Sequence, residues 1–356
     1  MQRIILRCVV LVMPIVMIAV SGCSSTSGAP KAETITITGA GSTFVTPIMS
    51  KWIDEYHQSH PNVQVNYQSI GSGGGIKQLQ NNLVDFGASD AALSDEQLKS
   101  MPALIQIAES AGPVCVTYNL PDLKQPLKLT PAVLSGIYLG TIKSWRDPAL
   151  VKSNPGVKFP DEPIVVVHRS DGSGTTNIFT TYLTEISPAW AKKAGKGLSV
   201  NWPVGLGGKG SEGVTAIVKQ SEGGIGYVEL NYASQNHLPV ADVQNKAGEW
   251  VSPSTGGATA AIDAFKDKLD TDLRSSIVEP PPAARNAYPI SGMTYLLIPK
   301  DAADRNKREA LKDFVQYIIT SGQQMSTQLE YSQIPQSLEQ VDEKRLSELT
   351  TGGQAL

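Results

Sequence analysis

The sequence is poor in cysteine, in histidine and in any excess of positive charge. Its 3 cysteines among 356 residues are too few for a disulfide framework. Lys and Arg number 30 against 33 Asp and Glu, a net charge of −3, and this balance argues against nucleic acid and against a polybasic membrane patch as partners. The 4 histidines show no metal-ligand spacing. We therefore expect neither a metal site nor another cofactor.

The N-terminal segment also lacks an apolar run long enough to cross a bilayer. Two arginines precede the apolar residues 8–20, and this run is shorter than the roughly 20 residues that a membrane-spanning helix needs. Small residues then lead to Cys23, as in the lipobox of a lipoprotein signal. Residues 1–22 are thus predicted to be a signal peptide, Cys23 the lipidated N-terminus, and residues 23–33 a polar tether. An ordinary cleaved signal is the alternative.

Three segments rich in Gly, Ser and Thr follow strand-like runs. The longest, residues 168–176, comes directly after an apolar run, and residues 39–44 and 71–75 repeat the pattern. A loop that leads from a buried strand into a helix directs backbone N–H groups and hydroxyls at one spot. Arg169 adds a guanidinium to the first loop. Because the protein is acidic overall, its affinity for an anion has to come from such local groups.

Strand-like and helix-like segments alternate along the rest of the chain. The apolar residues 35–37 precede a helical pattern at 47–59. Short strand patterns at 105–107 and 114–118 flank Gly112-Pro113, which we expect to be a crossing point. The alternation predicts an α/β fold with a largely parallel sheet and a ligand at the carboxyl ends of strands. The length suggests two domains. Residues 231–285 are polar and Pro-rich, and we expect them to form a surface excursion.

Five motifs in order resemble the periplasmic phosphate-binding proteins of ABC transporters. They are residues 39–44, 84–90, 171–175, 205–210 and 224–229. The resemblance extends from about residue 34 to the C-terminal helices. It implies an α/β, two-lobed periplasmic-binding-protein fold, with a mixed or mostly parallel sheet in each lobe and a ligand cleft between them.

The resemblance also implies lobe boundaries and partners. One lobe would comprise residues 34–111 and 286–356, and the other residues 112–285. The chain is then an exported, lipid-anchored monomer of the periplasm or cell envelope that binds inorganic phosphate. It would deliver the phosphate to the permease subunits of an ABC importer and their ATPase. No enzymatic activity is implied.

Carried over by motif, the resemblance implies a set of phosphate ligands. They are Thr43, Phe44, Ser72, Asp90, Arg169, Ser173, Gly174 and Thr175, with Asp171 and Gly73 in support. One departure is His168, which stands where another basic residue is expected beside the arginine.

Structural roles are the alternative for several of these residues. Thr43 and Ser173 could be helix N-caps, Asp90 could cap a helix near residue 94, and Arg169 could form a surface ion pair with Asp171. Two functional alternatives also stay open: a phosphate-ester hydrolase on this scaffold, and a binding protein for another oxyanion such as sulfate or molybdate. Asp90 favours phosphate over sulfate, because a carboxylate can accept a hydrogen bond from protonated phosphate but only repels sulfate.

The lipobox pattern generates a prediction for the N-terminus. Cys23→Ser removes the thiol that would be acylated, so the protein should be released in soluble form and still bind phosphate. Membrane fractionation and mass spectrometry of the mature N-terminus measure this. Cys115→Ser, which changes the other cysteine of the mature chain, is the matched control and should stay membrane-attached. An unmodified Cys23, or a signal cleaved elsewhere, contradicts the prediction.

Overall fold

The computed structural model describes residues 33–356. The predicted signal peptide, Cys23 and nearly all of the tether lie outside the described residues. No helix within the described part of the chain combines the length and the apolar character that crossing a membrane requires.

Strands and helices alternate from residue 35 onward. The strands are β1 Ile35–Gly41, β2 Val63–Ser69, β3 Phe86–Ser89, β4 Leu104–Tyr118, β5 Lys128–Leu129, β6 Val165–Arg169, β7 Leu206–Gly208, β8 Gly224–Glu229, β9 Asp242–Gln244, β10 Trp250–Val251, β11 Ser291–Pro299, β12 Asp301–Ala302, β13 Thr350–Thr351 and β14 Gln354–Ala355. The helices are α1 Thr46–Ser59, α2 Ser72–Gln80, α3 Asp95–Lys99, α4 Pro131–Leu139, α5 Pro148–Ser153, α6 Gly174–Ile186, α7 Pro188–Lys193, α8 Gly210–Gln220, α9 Leu230–Gln235, α10 Thr255–Ala264, α11 Lys266–Thr271, α12 Arg305–Ile319 and α13 Gln336–Leu346. Short 3-10 helices at Ser321–Met325 and Thr327–Leu329 follow α12.

The main sheet has the strand order β2-β1-β3-β11-β4-β8-β6-β7. On one side, β1 is parallel to β2 and β3, and β11 is antiparallel to β3 and β4. On the other side, β8 is antiparallel to β4, while β6 is parallel to β8 and β7. Each side is therefore a mixed sheet, as expected, and we call these sides the first and the second lobe.

Strand β4 is shared by the two lobes. Its residues 104–113 pair with β11 and its residues 114–118 pair with β8. The sequence predicted two short strands here, and the structure has one continuous strand instead. The Gly-Pro pair predicted as a crossing point does lie where β4 changes its pairing partner. Pro113 lies at the position where the pairing partner changes, so its missing N–H does not interrupt either ladder. The next residue, Val114, donates its N–H to Ile290 O at 2.7 Å.

Residues 231–285 are not the surface excursion that their composition suggested. They form α9, α10 and α11 and supply β9 and β10, which join β5 in a three-stranded sheet. Val243, Ala261, Ile262 and Leu269 from this segment are buried in the core. Widely spaced apolar residues on short elements are enough to fix the segment onto the core, although its average composition is polar. Within the segment, α10 packs on β4 and β11, and α11 packs on α13.

The first β–α connection needs a glycine at the end of β1. Gly41 has φ +150°, and a Cβ built there would lie 2.0 Å from Ala88 O on β3. The close approach brings the end of β1 against β3. The following loop, residues 42–45, is thereby held over the carboxyl ends of both strands.

Gly41→Ala should destabilise the fold, because the added methyl group forces β1 away from β3. Overpacking of this kind costs about 1–3 kcal/mol. The matched control is Gly248→Ala, whose φ is +83° but whose added Cβ has nothing within 4 Å; it should show only the smaller cost of a left-handed backbone. Urea unfolding measures both. If the free energy of unfolding falls equally in the two variants, the close contact with Ala88 does not require a glycine at residue 41.

Candidate anion-binding site

Two lobes place their strand-to-helix loops against each other. The first lobe contributes the loop after β1, the start of α2 and the residue after β3. The second lobe contributes the loop between β6 and α6 and the start of α8. Every side chain of the predicted ligand set is buried or nearly so, with Thr43, Ser72, Asp90, Arg169, Ser173 and Thr175 all at most 4% exposed.

Residues predicted to share one ligand contact each other across the lobes. Gly174 N donates to Ser72 Oγ at 3.0 Å, and Thr175 Oγ1 donates to Asp90 Oδ2 at 3.2 Å. Gly73 N donates to the carbonyl of Gly172 at 2.9 Å. The structure thus brings the sequence motifs at 71–75, 84–90 and 171–175 to one place.

The hydroxyls at the helix starts have different local roles. Ser173 is the N-cap of α6 and accepts from Thr176 N at 3.1 Å, so the capping alternative is correct for this residue. It is wrong for Thr43, because α1 begins after Val45 with no side-chain cap. The Thr43 hydroxyl instead accepts from Ser211 N at 3.1 Å. The Phe44 backbone N–H donates to Ser42 Oγ at 3.0 Å, while its ring packs in the core.

The Arg169 guanidinium is buried and paired. Its Nε and Nη2 donate to the two oxygens of Asp171 at 2.8 and 2.6 Å, and the side chains are 2% and 14% exposed. Asp171 also accepts from Gly210 N at 3.0 Å. Burial alone would raise the pKa of Asp171, but the hydrogen bonds and charge of Arg169 outweigh it and lower that pKa. The surface ion pair considered from the sequence is therefore wrong.

Asp90 is a carboxylate that is held mainly by hydroxyl groups. Burial raises its pKa to about 6, against hydrogen bonds from Ser42, Thr175 and Thr294 and the charge of Arg169, which lower it. It does not cap the following helix: Ser94 caps α3 and forms a capping box with Gln97. Asp90 thus stays available as a hydrogen-bond acceptor facing the second lobe.

His168 contributes no second positive charge. Its ring stacks on Trp202, with centroids 4.6 Å apart and planes 9° apart. Burial lowers the pKa of the imidazole from 6.5, so the ring is mainly neutral at pH 7. The departure from the expected basic residue therefore leaves Arg169 as the source of positive charge beside this loop.

Sequence reasoning missed several residues of the site. Ser42 donates to Asp90, and Ser211 on α8 lies 2.9 Å from the Thr43 hydroxyl and 3.5 Å from Arg169 Nη1. Ser42 lies inside the motif at 39–44 and Ser211 directly follows the one at 205–210, so their positions were a usable signal. Tyr232 donates its OH to Thr43 O at 2.7 Å. It lies in none of the motifs, so no sequence signal pointed to its place in the site.

The site combines N–H and hydroxyl donors with one guanidinium and one carboxylate acceptor. This combination is suited to binding a small oxyanion that carries a proton. A pair of α/β lobes that meet over such a site defines the periplasmic-binding-protein class. The sequence profile described as the PBP superfamily domain matches residues 24–321. The motif-based resemblance to phosphate-binding proteins is confirmed by relatives whose alignments cover most of this chain.

The protein named "Phosphate-binding protein PstS" of Xylella fastidiosa is 40% identical over 311 residues, which cover 87% of this chain and 84% of the relative. The protein of the same name from Haemophilus influenzae is 41% identical over 307 residues, 86% of this chain and 91% of the relative. The protein of this name from Methanocaldococcus jannaschii is 39% identical over 341 residues, which cover 88% of this chain and 86% of the relative. The chain belongs to this family of phosphate-binding proteins.

Solved structures share the fold at lower identity. A high-affinity periplasmic phosphate-binding protein (PfluDING), solved with phosphate, has a TM-score of 0.69 at 22% identity. The match covers 88% of this chain and 94% of the PfluDING chain. A putative phosphate transporter substrate-binding protein from Clostridium perfringens has a TM-score of 0.61 at 19% identity, covering 84% of this chain and 100% of its own.

Asp171→Asn should destabilise the protein at neutral pH by about 1.5–3 kcal/mol, because it weakens hydrogen bonds to a buried charge. A lowered carboxyl pKa contributes stability that is present above the unfolded value of 3.8 and is lost as the pH falls through the folded value. The difference between wild type and variant should therefore shrink in acid. Urea unfolding at neutral pH and at about pH 3 measures it.

Asp161→Asn is the matched control for this prediction. It breaks an ion pair with Arg146, and the Arg146 and Asp161 side chains are 55% and 78% exposed. The free energy of unfolding should therefore fall by between 0 and about 1 kcal/mol. Equal effects of the two substitutions would show that burial adds nothing to the Arg169 pair.

Proposed function

We propose that the chain binds inorganic phosphate in the cleft between its lobes and delivers it to an ABC importer. The observation that carries the proposal is the joint placement of donors from both lobes around the Asp90 acceptor. The relatives are named for binding phosphate and not for a reaction on it. The role is therefore that of a binding protein, and the hydrolase alternative loses its support.

The proposed ligands are backbone N–H groups and hydroxyls of the loops that lead from strands into helices, together with two charged side chains. We assign Thr43, Phe44, Ser72, Ser173, Gly174 and Thr175 as donors, Arg169 as the cation, and Asp90 as the acceptor of the phosphate proton. Asp171 fixes the guanidinium plane, and Gly73 allows the close approach of the two loops. Ser42 and Ser211 complete the set, since both contact predicted ligands.

Asp90 supports phosphate over sulfate or molybdate as the cargo. A buried carboxylate that faces an anion repels it unless the anion donates a hydrogen bond. Protonated phosphate has such a donor, whereas sulfate at neutral pH has none. A site that is built around a ligand hydroxyl can reject an analogue lacking it by roughly 10⁴–10⁵-fold.

The cellular arrangement is part of the proposal. A lipid on Cys23 would anchor a periplasmic or cell-envelope monomer through the tether at 23–33. The proposed lobe boundary at 111/112 lies within the shared strand β4, two residues before its pairing partner changes. The boundary at 285/286 lies shortly before β11. Closure of the lobes around phosphate would give the permease subunits a liganded shape to recognise.

Asp90→Asn should narrow the preference for phosphate over sulfate by at least about tenfold, or roughly 1.4 kcal/mol. The amide removes the repulsion of sulfate and leaves the donors in place, so phosphate should lose comparatively little. Calorimetry of the purified mature protein with phosphate, sulfate, molybdate and a phosphate monoester, at one pH and salt concentration, measures this.

Asp161→Asn removes an equal charge at an exposed position and should keep the wild-type ratio. An unchanged ratio in Asp90→Asn would place the selectivity in the donor geometry. Tighter binding of sulfate, molybdate or the monoester than of phosphate by the wild type would overturn the proposed function itself.

A further inference from the structure

A second carboxyl group lies buried behind Asp90. Glu109 of β4 is 0% exposed, and its Oε1 accepts from Thr294 Oγ1 at 2.9 Å. Its other oxygen, Oε2, has no hydrogen-bond partner among residues 33–356. Glu109 occupies an irregularity in the ladder, because Thr294 pairs with Ser110 while the next residue of β11 pairs with Ala108. The strand thus bulges at the position that carries this carboxyl.

Thr294 lies between the two carboxyl groups. On its other edge, β11 pairs with β3 in antiparallel register, with Tyr295 opposite Ser89. The continuation of that register puts Thr294 opposite Asp90. The Thr294 hydroxyl donates to Glu109, and its proximity to Asp90 also lowers the pKa of that carboxyl. One hydroxyl therefore faces Asp90 on one side and Glu109 on the other.

A hydroxyl has a single hydrogen and two acceptor lone pairs. If Glu109 were ionised, Thr294 could serve only one of two carboxylates, and the two negative charges would repel each other in a water-poor interior. If Glu109 is a neutral acid, it donates to Thr294 Oγ1, and Thr294 donates to Asp90. The second arrangement gives each hydroxyl and carboxyl hydrogen an acceptor and leaves the charge on Asp90. Glu109 Oε2 is then a neutral carbonyl oxygen, which costs less to bury without a partner than a charged oxygen does.

We propose that Glu109 is a positioning residue, a neutral acid that orients the Asp90 carboxylate toward bound phosphate through the Thr294 hydroxyl. This inference rests on the proposed function, since it gives the Asp90 acceptor a fixed direction. Glu109 does not contact the ligand in this proposal. It acts by determining which way the Thr294 proton points.

The pKa values of Glu109 and of the titratable groups around it are consistent with a proton on Glu109. Burial raises the pKa of Glu109, the Thr294 hydrogen bond lowers it, and the Asp90 charge raises it, which together give a pKa of about 8. The pKa of Asp90 is raised only to about 6, partly because Arg169 faces it from the other lobe. Tyr67 of β2 also faces this cluster, but burial raises its pKa well above 10.0, so it stays neutral. The proton therefore resides on Glu109 between these values.

Alkaline pH should weaken phosphate binding through this group. When Glu109 loses its proton, Thr294 turns its hydrogen toward Glu109, and a second negative charge lies behind the acceptor. Glu109→Gln keeps a side-chain N–H that can donate to Thr294 but cannot ionise. The variant should bind phosphate nearly as the wild type does at about pH 7 and lack this additional alkaline weakening.

The test is phosphate calorimetry on the full mature chain from about pH 6.5 to 9.5. Because both proteins meet the same ligand at each pH, the titration of phosphate itself cancels in their affinity ratio. Between the two ends of the range we expect the wild type to lose about tenfold more affinity than Glu109→Gln, the equivalent of one pKa unit. The control is Glu279→Gln, which removes another partly buried carboxyl. Burial raises the pKa of Glu279 to about 7, with smaller effects of the Lys246 and Glu185 charges. This variant should keep the wild-type pH profile.

A second pair of variants keeps the inference testable if Glu109→Gln does not fold. Thr294→Val breaks the hydrogen-bond chain and should lower phosphate affinity at neutral pH by about threefold or more, the scale of one lost hydrogen bond, whereas Thr294→Ser should restore it. Parallel pH profiles for the wild type and Glu109→Gln, or equal affinities for the Val and Ser variants, would overturn the inference. Absence of phosphate binding by the wild type would instead refute the proposed function.

Discussion

Burying the Asp90 carboxylate is the constraint on which the arrangement of the cleft depends. A charge removed from water is costly unless hydrogen bonds replace its hydration. Ser42 on its own lobe and Thr175 on the other supply those bonds. Because donors come from both lobes, the same interactions that keep the carboxylate charged also join the lobes. In the proposed function, recognition of the ligand and contact between the lobes therefore use one set of groups.

Arg169 meets the same constraint in a different way. Its charge is balanced by Asp171, so the pair adds no net charge to the cleft, and the surrounding donors are neutral N–H and O–H groups. A protein with a net charge of −3 can thus hold an anion without a positive surface field. Buried dipoles are also screened by salt less than exposed charges are. The neutral His168 ring fits this design, since its stacking on Trp202 serves packing and not charge.

The sequence predicted those parts of the site that consist of local pattern. The loops at 39–44, 71–75 and 168–176 each combine glycine, hydroxyl residues and a following helix, and all three meet in the cleft. Features set by long-range packing were not predictable. The continuity of β4 depends on Pro113 lying where its partner changes, and the burial of residues 231–285 depends on scattered apolar side chains. Glu109 stands alone in an apolar strand, and no spacing links it to Asp90 or Thr294.

In the roles proposed for them, the two buried carboxyl groups also define a pH window for selectivity. Below about pH 6 Asp90 gains a proton, and it then donates a hydrogen bond instead of accepting one, so an unprotonated oxyanion is no longer repelled. Above about pH 8 Glu109 loses its proton, and repulsion grows against every anion, phosphate included. The lower limit therefore affects discrimination, while the upper limit affects affinity. Discrimination combined with affinity requires the charge on Asp90 and the proton on Glu109 at the same time, which only the interval between the two pKa values provides.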